Sequence, residues 1–511
     1  MLALALATAA SAAATRPGWT APRNLSDAAA DAAVPSVAVD AAGDVYVVWA
    51  QARGDSWTVQ EVDRPVGGSW SAPRALSDTA GHVGTPEIAV AGGFAIASWE
   101  RYDGKNLIAE ASVRGPGGDW SAPVPLSPAG RDALVPQVAV DAHGNAAVVW
   151  SSLGLGGWMV QAAFRPAGQG WQLSDLLASP AQGTAAPDVA FDAGGNAVAA
   201  WAATDGKGWQ VQAAYRPSAG TWGAVATLSA RDASGSLEPR VVTEKNGDVL
   251  AVWSRTAATA AMVETATRTV ATGAWSKARR LSPAGQNALD PRVAVDARGY
   301  GVVVWTGSTA GGLDVGAVSR PPGKGWGKPM EITGVVPGPL SPSVALDERG
   351  DALAAWSHSA GTGSRIQAAY LLRGTTSWSP ARSLSDPGAD AITPEVGLDA
   401  DGDGAVVWAR YDGTTFVIQG DGYDANGPDL DRLVLPTRGV ARRKVVFSVA
   451  PRDAWSPVRA IRWSFGDGST AAGRVTGHVY ARAGTFTVQV SATDAFGHVA
   501  TLRRRIAIAA G

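Results

Sequence analysis

The sequence predicts an all-β protein whose larger part is a propeller of repeated four-stranded sheets. The first observation is a unit of about fifty residues that occurs eight times, because two series of tryptophans recur every 50 to 53 residues and hold 16 of the 21 tryptophans. One series is Trp49, Trp99, Trp150, Trp201, Trp253, Trp305, Trp356 and Trp408. The other is Trp19, Trp70, Trp120, Trp171, Trp222, Trp275, Trp326 and Trp378. The second observation is that each unit is a series of short strands, and repeats of this length built of strands are typical of β-propellers.

The repeat that starts at Pro187 shows the four strands of one unit. Residues 187–192 alternate and predict strand A, and the glycines that follow suit a tight hairpin turn. Residues 198–201 predict strand B, residues 209–215 strand C and residues 222–229 strand D. Four short strands joined by hairpins form one blade, and stacking blades around an axis buries their faces.

The order of the strands predicts how the ring closes. Strand A begins with a proline in all eight repeats, namely Pro35, Pro86, Pro136, Pro187, Pro239, Pro291, Pro342 and Pro394. The first D segment, residues 19–22, precedes any strand A, and the last strand C, residues 416–422, has no D segment after it. We therefore expect the N-terminal segment to complete an eight-bladed propeller and to remove its open edges. Seven blades with one degenerate repeat are the alternative.

The last 80 or so residues have a different pattern. Residues 463–468 read WSFGDG, residues 478–480 read HVY, and residues 484–488 and 494–497 continue as strand and turn. This segment resembles the PKD domain, a small immunoglobulin-like β-sandwich of extracellular and surface proteins, although Ser464 replaces the usual aspartate. The resemblance implies that Trp463, Phe465 and Tyr480 belong to the core, that residues 466–468 form a turn, and that the module presents other domains without being catalytic.

Composition and charge limit the function classes. The predicted parts are a signal-peptide-like segment at 1–15, the propeller at 16–424, a linker at 425–432 and the PKD-like sandwich at 433–511. From Asp429 onward there are 13 basic and 5 acidic residues, which leaves 30 and 40 for the rest, so an acidic body carries a basic tail. The chain has no cysteine for disulfides or thiolate sites, and no stretch reaches the ~18 apolar residues of a membrane span.

Residues near the propeller axis that vary between repeats are the candidate ligand contacts, because residues repeated in every blade hold the blades together. One variable position follows each strand-A proline and holds Ser36, Glu87, Gln137, Asp188, Arg240, Arg292, Ser343 and Glu395. We call the series from Trp49 to Trp408 the inner tryptophans. The other variable position lies two residues after each inner tryptophan and holds Gln51, Arg101, Ser152, Ala203, Arg255, Gly307, His358 and Arg410. Simple antiparallel pairing of strands A and B would bring these two positions together.

In two blades this pairing predicts ion pairs. Glu87 would face Arg101, and Glu395 would face Arg410, as ordinary cross-strand pairs. These four residues are candidate ligand contacts, but their pairing would leave no carboxylate pair available for catalysis.

Blade five predicts an accumulation of positive charge. Arg240 and Arg255 would be like charges at matched positions, with Arg292 in the next blade. We expect an anion-accepting patch at these three arginines. The alternative is that the arginines extend into solvent or are satisfied by Glu238.

Two loops between strands B and C share a tyrosine followed by aspartate and glycine, at Tyr102 and at Tyr411. An exposed tyrosine beside a carboxylate suits sugar stacking and hydroxyl recognition. The alternative is an Asp-Gly turn with a packing tyrosine.

Three alternating carboxylates, Asp399, Asp401 and Asp403, could converge on calcium. The twelfth position of this segment is Arg410, where a calcium loop has glutamate. The corresponding turns of other repeats have the same pattern of aspartate and glycine without the additional acidic residues. An ordinary hairpin turn is therefore the alternative, and no other cofactor is expected.

These features favour a secreted or surface-associated binding protein without enzymatic activity, whose propeller face recognises a glycan, an envelope polymer or a protein. The basic runs at 442–444 and 503–505 could rest on an acidic polymer, or simply be solvated strand charge. Nucleic acid is not expected, because the body is acidic and the basic runs lack aromatics. The propeller resembles the sialidase-like superfold, so a glycoside hydrolase is the alternative. Against it, the S-x-D-x-G-x-x-W motif of that superfold is absent.

Overall fold

The protein is described by a computed structural model that covers residues 17–78, 81–154, 156–172, 175–178, 183–232, 237–257, 260–336, 338, 340–359, 363–388, 390–430 and 433–511. Within these ranges the chain is built of strands and has no helix, hence none that could cross a membrane. It forms two compact units, one of Pro22–Arg64 with Trp70–Asp421, and one of Gly422–Gly511 with Pro65–Ser69 and the residues up to Ala21. The predicted signal-peptide-like segment, 1–15, lies outside the described residues.

The propeller sequence forms four-stranded antiparallel sheets that repeat one strand order, and it belongs to the larger unit except for residues 17–21, 65–69 and 422–424. Two short strands come first, Gly18–Trp19 (β1) and Arg23–Asn24 (β2). Blade 1 contains Ala32–Val39 (β3), Val45–Arg53 (β4), Ser56–Arg64 (β5) and Arg74–Ala75 (β6). Blade 2 contains Val83–Ala91 (β7), Phe94–Tyr102 (β8), Leu107–Arg114 (β9) and Val124–Pro125 (β10). Blade 3 contains Asp132–Val140 (β11), Ala146–Gly154 (β12), Gly157–Arg165 (β13) and Asp175–Leu176 (β14).

The next blades follow the same plan. Blade 4 contains Gly183–Phe191 (β15), Ala197–Thr204 (β16), Trp209–Arg216 (β17) and Ala226–Thr227 (β18). Blade 5 contains Arg240–Thr243 (β19), Val249–Ala257 (β20), Ala260–Arg268 (β21) and Arg279–Arg280 (β22). Blade 6 contains Asn287–Val295 (β23), Gly301–Thr309 (β24), Gly312–Arg320 (β25) and Met330–Glu331 (β26). Blade 7 contains Ser343–Leu346 (β27), Ala352–Ser359 (β28), Ser364–Leu371 (β29) and Arg382–Ser383 (β30).

Blade 8 combines the two ends of the propeller sequence. It contains Ala391–Leu398 (β31), Gly404–Tyr411 (β32) and Phe416–Asp424 (β33), with β1 and β2 as its outer strand. Trp19 pairs with Tyr423 in register, and Asn24 pairs with Gln419. The predicted all-β class and closure by the N-terminal strand are therefore confirmed, and the eight sheets among the described residues agree with the predicted number of blades.

The smaller unit is a β-sandwich of two sheets. Its strands are Leu433–Val434 (β34), Arg438–Val440 (β35), Lys444–Val449 (β36), Ala460–Ser464 (β37), Thr470–Ala472 (β38), Val475–Val479 (β39), Gly484–Thr493 (β40) and Val499–Ala509 (β41). One sheet has the order β34-β36-β39 and the other β35-β41-β40-β37-β38. Trp463, Phe465 and Tyr480 are buried in the core between them, as predicted.

The inner tryptophans hold neighbouring blades together. Trp201 of blade 4, for example, is fully buried against Val149 and Val160 of blade 3. Trp253 packs in the same way against Val211 of blade 4. Burial of a side chain of this size contributes on the order of 2–3 kcal/mol, so the repeated tryptophans account for a large share of the stability of the ring.

Strand A has a β-bulge at its proline in blades 1, 2, 3, 4, 6 and 8, and in blades 5 and 7 the strand begins directly after the proline. In blade 2, Gly84 pairs with Glu100 and Glu87 pairs with Ser98, so that Thr85 and Pro86 oppose the single residue Trp99. The residue before the proline has a positive φ in every blade, at Val34, Thr85, Val135, Ala186, Glu238, Asp290, Ser341 and Thr393. The bulge shifts the register between strands A and B and sets which side chains of strand A point to the axis.

Two layers of side chains line the axis, because residues two apart in a strand lie on the same face. The residues directly after the strand-A prolines form the first layer. The residues two positions further on form the second layer and are small, namely Ala38, Ala89, Ala139, Ala190, Val242, Ala294, Ala345 and Gly397. A side chain at Gly397 would collide with Val39 of blade 1, which shows how closely the strands approach here. Part of the second layer lines a cavity of about 400 Å³.

Candidate functional site

The first layer around the axis is the candidate site, and we call it the axial ring. Each blade contributes one member, and the ring consists of Ser36, Glu87, Gln137, Asp188, Arg240, Arg292, Ser343 and Glu395. The five charged members are half-buried, so each keeps part of its surface accessible to solvent. The alanine-rich layer next to the ring offers no polar groups, and the chemistry is therefore confined to the ring.

Serine and glutamine side chains bind the two glutamates of the ring. Ser36 Oγ donates to Glu87 Oε2 at 3.0 Å, and Gln137 Nε2 lies 3.5 Å from Glu87 Oε1. Ser343 Oγ donates to Glu395 Oε2 at 2.9 Å in the same arrangement. Each serine belongs to the blade before its glutamate, so these hydrogen bonds also link blades 1 and 2 and blades 7 and 8.

The carboxyl of Glu87 is poised to exchange a proton near neutral pH. Burial and the nearby carboxylate of Glu395 raise the pKa of Glu87 to about 7, against the opposing effects of Ser36, Arg240 and Gln137. Burial also raises the pKa of Asp188, although Arg240 and the N–H of Val241 lower it. The acidic side of the ring can therefore hold a proton where an ordinary carboxyl would be ionised.

The basic side of the ring contains Arg240 and Arg292. Arg292 Nη1 lies 2.9 Å from Asp290 Oδ1, and although burial opposes its charge, Asp290 and Glu395 raise its pKa. Arg240 Nε is buried and has no acceptor among the described residues. Burial and Asp290 raise the pKa of Glu238, whereas Arg292 and Arg240 lower it, so Glu238 lies near both arginines.

The predicted ion pairs of the two glutamates are wrong. Arg101 pairs in register with Val83 and binds Glu110, with Arg101 Nε 2.8 Å from Glu110 Oε1. Arg410 likewise pairs with Ala391, whereas the residue opposite Glu395 is Val407, three residues before Arg410. The physical reason is the bulge, because it moves the position after the proline to the residue before the inner tryptophan. Neither glutamate is therefore neutralised by the arginine predicted for it.

The predicted patch of three arginines is also corrected. Arg255 is bound to Glu264, with Arg255 Nη2 2.8 Å from Glu264 Oε1, and the same carboxylate accepts a hydrogen bond from Trp253 Nε1 at 3.1 Å. Arg255 therefore supports the inner tryptophan inside blade 5. Only Arg240 and Arg292 belong to the axial ring.

The two tyrosine loops are built as turns. Asp103 Oδ1 accepts the N–H groups of Lys105 and Asn106, and these hydrogen bonds lower the pKa of Asp103. Asp412 caps the equivalent turn in the same way. Tyr411 donates to Gly413 O at 3.1 Å and packs against Phe416 at 5.3 Å between ring centres, which is the predicted alternative. Tyr102 is 40% exposed and stays a candidate for stacking.

The predicted calcium ligands do not converge. Asp399 Oδ1 accepts the N–H groups of Asp401 and Asp403 at 2.9 Å each and so caps the hairpin turn. Burial and the neighbouring Asp403 raise the pKa of Asp399 to about 7. Within the described part of the chain, the one set of three potential metal ligands within 4.8 Å of one another lies elsewhere. The hairpin alternative is therefore correct.

That set belongs to the smaller unit and consists of Asp424, Asp494 and His498, all buried. His498 Nδ1 lies 2.7 Å from Asp494 Oδ2 and 3.3 Å from Asp424 Oδ1. Burial and Asp494 raise the pKa of Asp453, a further carboxyl near this set. The three side chains could hold a cation. Sequence reasoning missed this set, because Asp424 is 70 residues from its partners in the chain.

Comparison with known proteins identifies the smaller unit. The family model of the PKD domain matches residues 434–506. These residues form a PKD domain. The PKD1 domain of Vibrio anguillarum Epp is 24% identical, with a TM-score of 0.15, over 17% of this chain and 98% of that domain.

The basic runs at 442–444 and 503–505 are exposed on the PKD domain, as solvated strand charge would be.

The longer matches are to solved propeller-containing chains at low identity. An ulvan lyase of the polysaccharide lyase family PL25 is 10% identical, with a TM-score of 0.49, over 80% of this chain and 96% of that one. The NanB sialidase from Streptococcus pneumoniae is 10% identical, with a TM-score of 0.38, over 75% and 83%. No curated protein matches the chain in sequence. These similarities assign no activity to this protein.

Proposed function

We propose that the protein is a secreted or surface-associated binding protein whose axial ring recognises a glycan, with the PKD domain presenting the propeller. The observation that carries this is a ring of five charged and three neutral polar side chains around one axis. A hydroxyl-rich ligand both donates and accepts hydrogen bonds, and the ring offers acceptors at Glu395 and Asp188 and a donor without an acceptor at Arg240 Nε. A few convergent polar groups in a concave site are typical of ligand sites.

Other partners fit the same surface less well. A protein would need a broad contact surface, whereas the ring consists of eight half-buried or buried side chains around one axis. An acidic envelope polymer is a second ligand for the exposed basic runs of the PKD domain, at 442–444 and 503–505, because clustered arginines attract polyanions in a salt-dependent way.

A specific observation supports a glycoside hydrolase as the second candidate. Glu87, with a pKa of about 7, lies near Glu395. Of the arginines expected to neutralise the pair, Arg101 binds Glu110 and Arg410 lies opposite Ala391. Glycosidases use one protonated and one ionised carboxyl on opposite sides of the scissile bond. In this reading Glu87 would be the general acid and Glu395 the second carboxylate.

One experiment separates the two functions. The wild-type chain and the variants Arg240→Ala, Glu87→Gln and Glu395→Gln are tested on a glycan array and on a panel of glycoside substrates. Arg382→Ala and Glu331→Gln are matched controls, since both residues lie on outer strands away from the axis. We expect the three ring variants to lose glycan binding, at least tenfold, and the controls to keep it.

The outcomes are distinct. Binding without turnover establishes the binding protein, whereas turnover that both glutamine variants abolish establishes the hydrolase. Glycan binding that all three ring variants retain would exclude the axial ring as the site.

A further inference from the structure

A second polar cavity, of about 940 Å³, lies in the larger unit beside the strand that closes the ring. We call it the closure cavity. It is bounded on one side by β2 of blade 8 and the residues that follow it, and on the other by the end of β4, by β5 and by the segment before β6 in blade 1. Its volume is within the ~300–1,000 Å³ of ligand pockets.

The side chains that line the closure cavity are mostly polar and include two cations. Arg23 and Arg53 are exposed, and no ion pair of either exists among the described residues. Asp27, the one acid in the lining, uses Oδ1 to accept the N–H of Ala29 at 2.9 Å. The half-buried indole of Trp70 adds an aromatic surface. The cavity therefore combines a positive charge surplus with an aromatic wall.

The corresponding place in blade 1 shows what such an arginine binds. There Arg74 pairs in register with Glu61, and the two form a bidentate ion pair, with Arg74 Nε 2.7 Å from Glu61 Oε2 and Nη2 3.2 Å from Oε1. In blade 8 the residue opposite Arg23 is Gly420. The same arginine position is thus repeated at the closure cavity, but the residue opposite the arginine is a glycine there and not a glutamate.

We propose that the closure cavity binds an acidic saccharide, whose carboxylate takes at Arg23 the place that Glu61 takes at Arg74. Arginine binds carboxylates in two parallel hydrogen bonds, which selects a planar anion. Asn24, Ser26 and Ser71 also line the cavity and offer hydrogen bonds to sugar hydroxyls. The ring of Trp70 suits the apolar face of a sugar. An acidic peptide would satisfy Arg23 but would make little use of these groups.

The closure cavity is separate from the axial ring and its occupation does not depend on what the ring binds. Its lining comes from residues 23–27, 30, 51–53, 60, 62 and 70–73, and contains no member of the ring. Variants in one site therefore leave the other intact, and the two proposals can fail independently.

The test measures the affinity of the full chain for trigalacturonate, trimannuronate, neutral galactotriose and hexaglutamate by calorimetry. Arg23→Ala removes the cation, with Arg382→Ala as its control, because Arg382 occupies the same strand position in blade 7 opposite Ala368. Gly420→Glu recreates inside the cavity the ion pair of blade 1, and the flexible end of Leu25, 3.0 Å from the new Cβ, has only to shift slightly. Ala368→Glu is its control opposite Arg382.

We expect at least one of the two uronates to bind, and its affinity to fall at least tenfold in Arg23→Ala and to vanish in Gly420→Glu. Both controls and the axial variant Arg240→Ala should bind it like the wild type. Galactotriose should bind more weakly than the uronate and be insensitive to Arg23→Ala.

Three results would overturn the proposal: that neither uronate binds, that Gly420→Glu binds the uronate like the wild type, or that hexaglutamate binds more tightly than the uronates with the same dependence on Arg23. Thermal unfolding of each variant shows whether it is folded, and the exposed Arg23→Ala keeps the test decisive if Gly420→Glu does not fold.

Discussion

At the scale of single residues, the same side chain serves opposite purposes in neighbouring places. Arg255 completes a buried group in which Glu264 also accepts from the inner tryptophan of its blade, whereas Arg240, fifteen residues earlier, lies at the axis with its Nε free of any acceptor among the described residues. Both are arginines in blade 5, and only the contacts distinguish a supporting residue from a candidate ligand contact.

Glu87 gives a pH-dependent prediction. Its pKa rises from about 4.5 in the unfolded chain to about 7 in the fold, so the unfolded chain releases the proton first as pH increases. The contribution of Glu87 to stability is therefore fully present below about pH 4.5 and is lost as pH rises to about 7, by roughly 3 kcal/mol at most. Glu87→Gln removes this titration. Urea unfolding between pH 5 and 8 should show the variant gaining stability relative to the wild type as pH rises.

The exposed Glu331→Gln serves as the control and should track the wild type at every pH. A constant difference between Glu87→Gln and the wild type across this range would mean that burial and Glu395 do not perturb Glu87 as described.

The positions that vary at the axis could be predicted from the sequence, but their partners could not. The residue after each strand-A proline does form the axial ring, because the period of the repeat and the alternation of strands place it there. The predicted pairs of Glu87 with Arg101 and of Glu395 with Arg410 do not form. A bulge of one residue shifts the pairing of the strands, and the alternation of apolar and polar residues in the sequence does not reveal it. The set of Asp424, Asp494 and His498 depends on contacts between distant segments, which no local spacing reveals.

At the scale of strands, the bulge before each inner segment of strand A is the element that builds the site. The residue before the proline lies in the left-handed region, at a cost of about 1–3 kcal/mol, and this conformation recurs in all eight blades. A strained element that recurs in this way is part of the architecture: it turns strand A so that the residue after the proline points to the axis.

Val135 allows this strain to be measured. Its φ is 51° and its side chain is 41% exposed, so Val135→Gly relieves the backbone while losing little burial. We expect an unchanged or higher melting temperature. The matched control is Leu153→Gly, since Leu153 is 40% exposed within β12 and has no positive φ, and glycine there should cost about 1 kcal/mol. Equal losses in both variants would show that the bulge residue carries no strain.

At the scale of the whole propeller, closure joins residues from opposite ends of the repeat region. Leu25 is 5% exposed and donates its N–H to Ile418 O at 2.8 Å, and Leu76 in blade 1 makes the same bond to Val59 O. The fold was predictable because eight tryptophan pairs fix the repeat, and a D segment without its own blade indicates closure. The closure cavity could not be predicted, because it arises where Gly420 takes the position that Glu61 has in blade 1.

Closure predicts equal effects at two equivalent leucines. Leu25→Ala and Leu76→Ala should each lower the free energy of unfolding by about 2–4 kcal/mol, measured by urea unfolding, since each leaves a cavity in a D strand. A loss at Leu76 with almost none at Leu25 would mean that the N-terminal strand contributes little to the ring.

The most direct measurement of the central claim is a crystal structure of the chain with the glycan that binds most tightly on the array. We expect a sugar residue to lie at the axis within hydrogen-bond distance of Arg240 and of Glu87 or Glu395. A glycan bound only at other residues, with the axial ring unchanged, would contradict it.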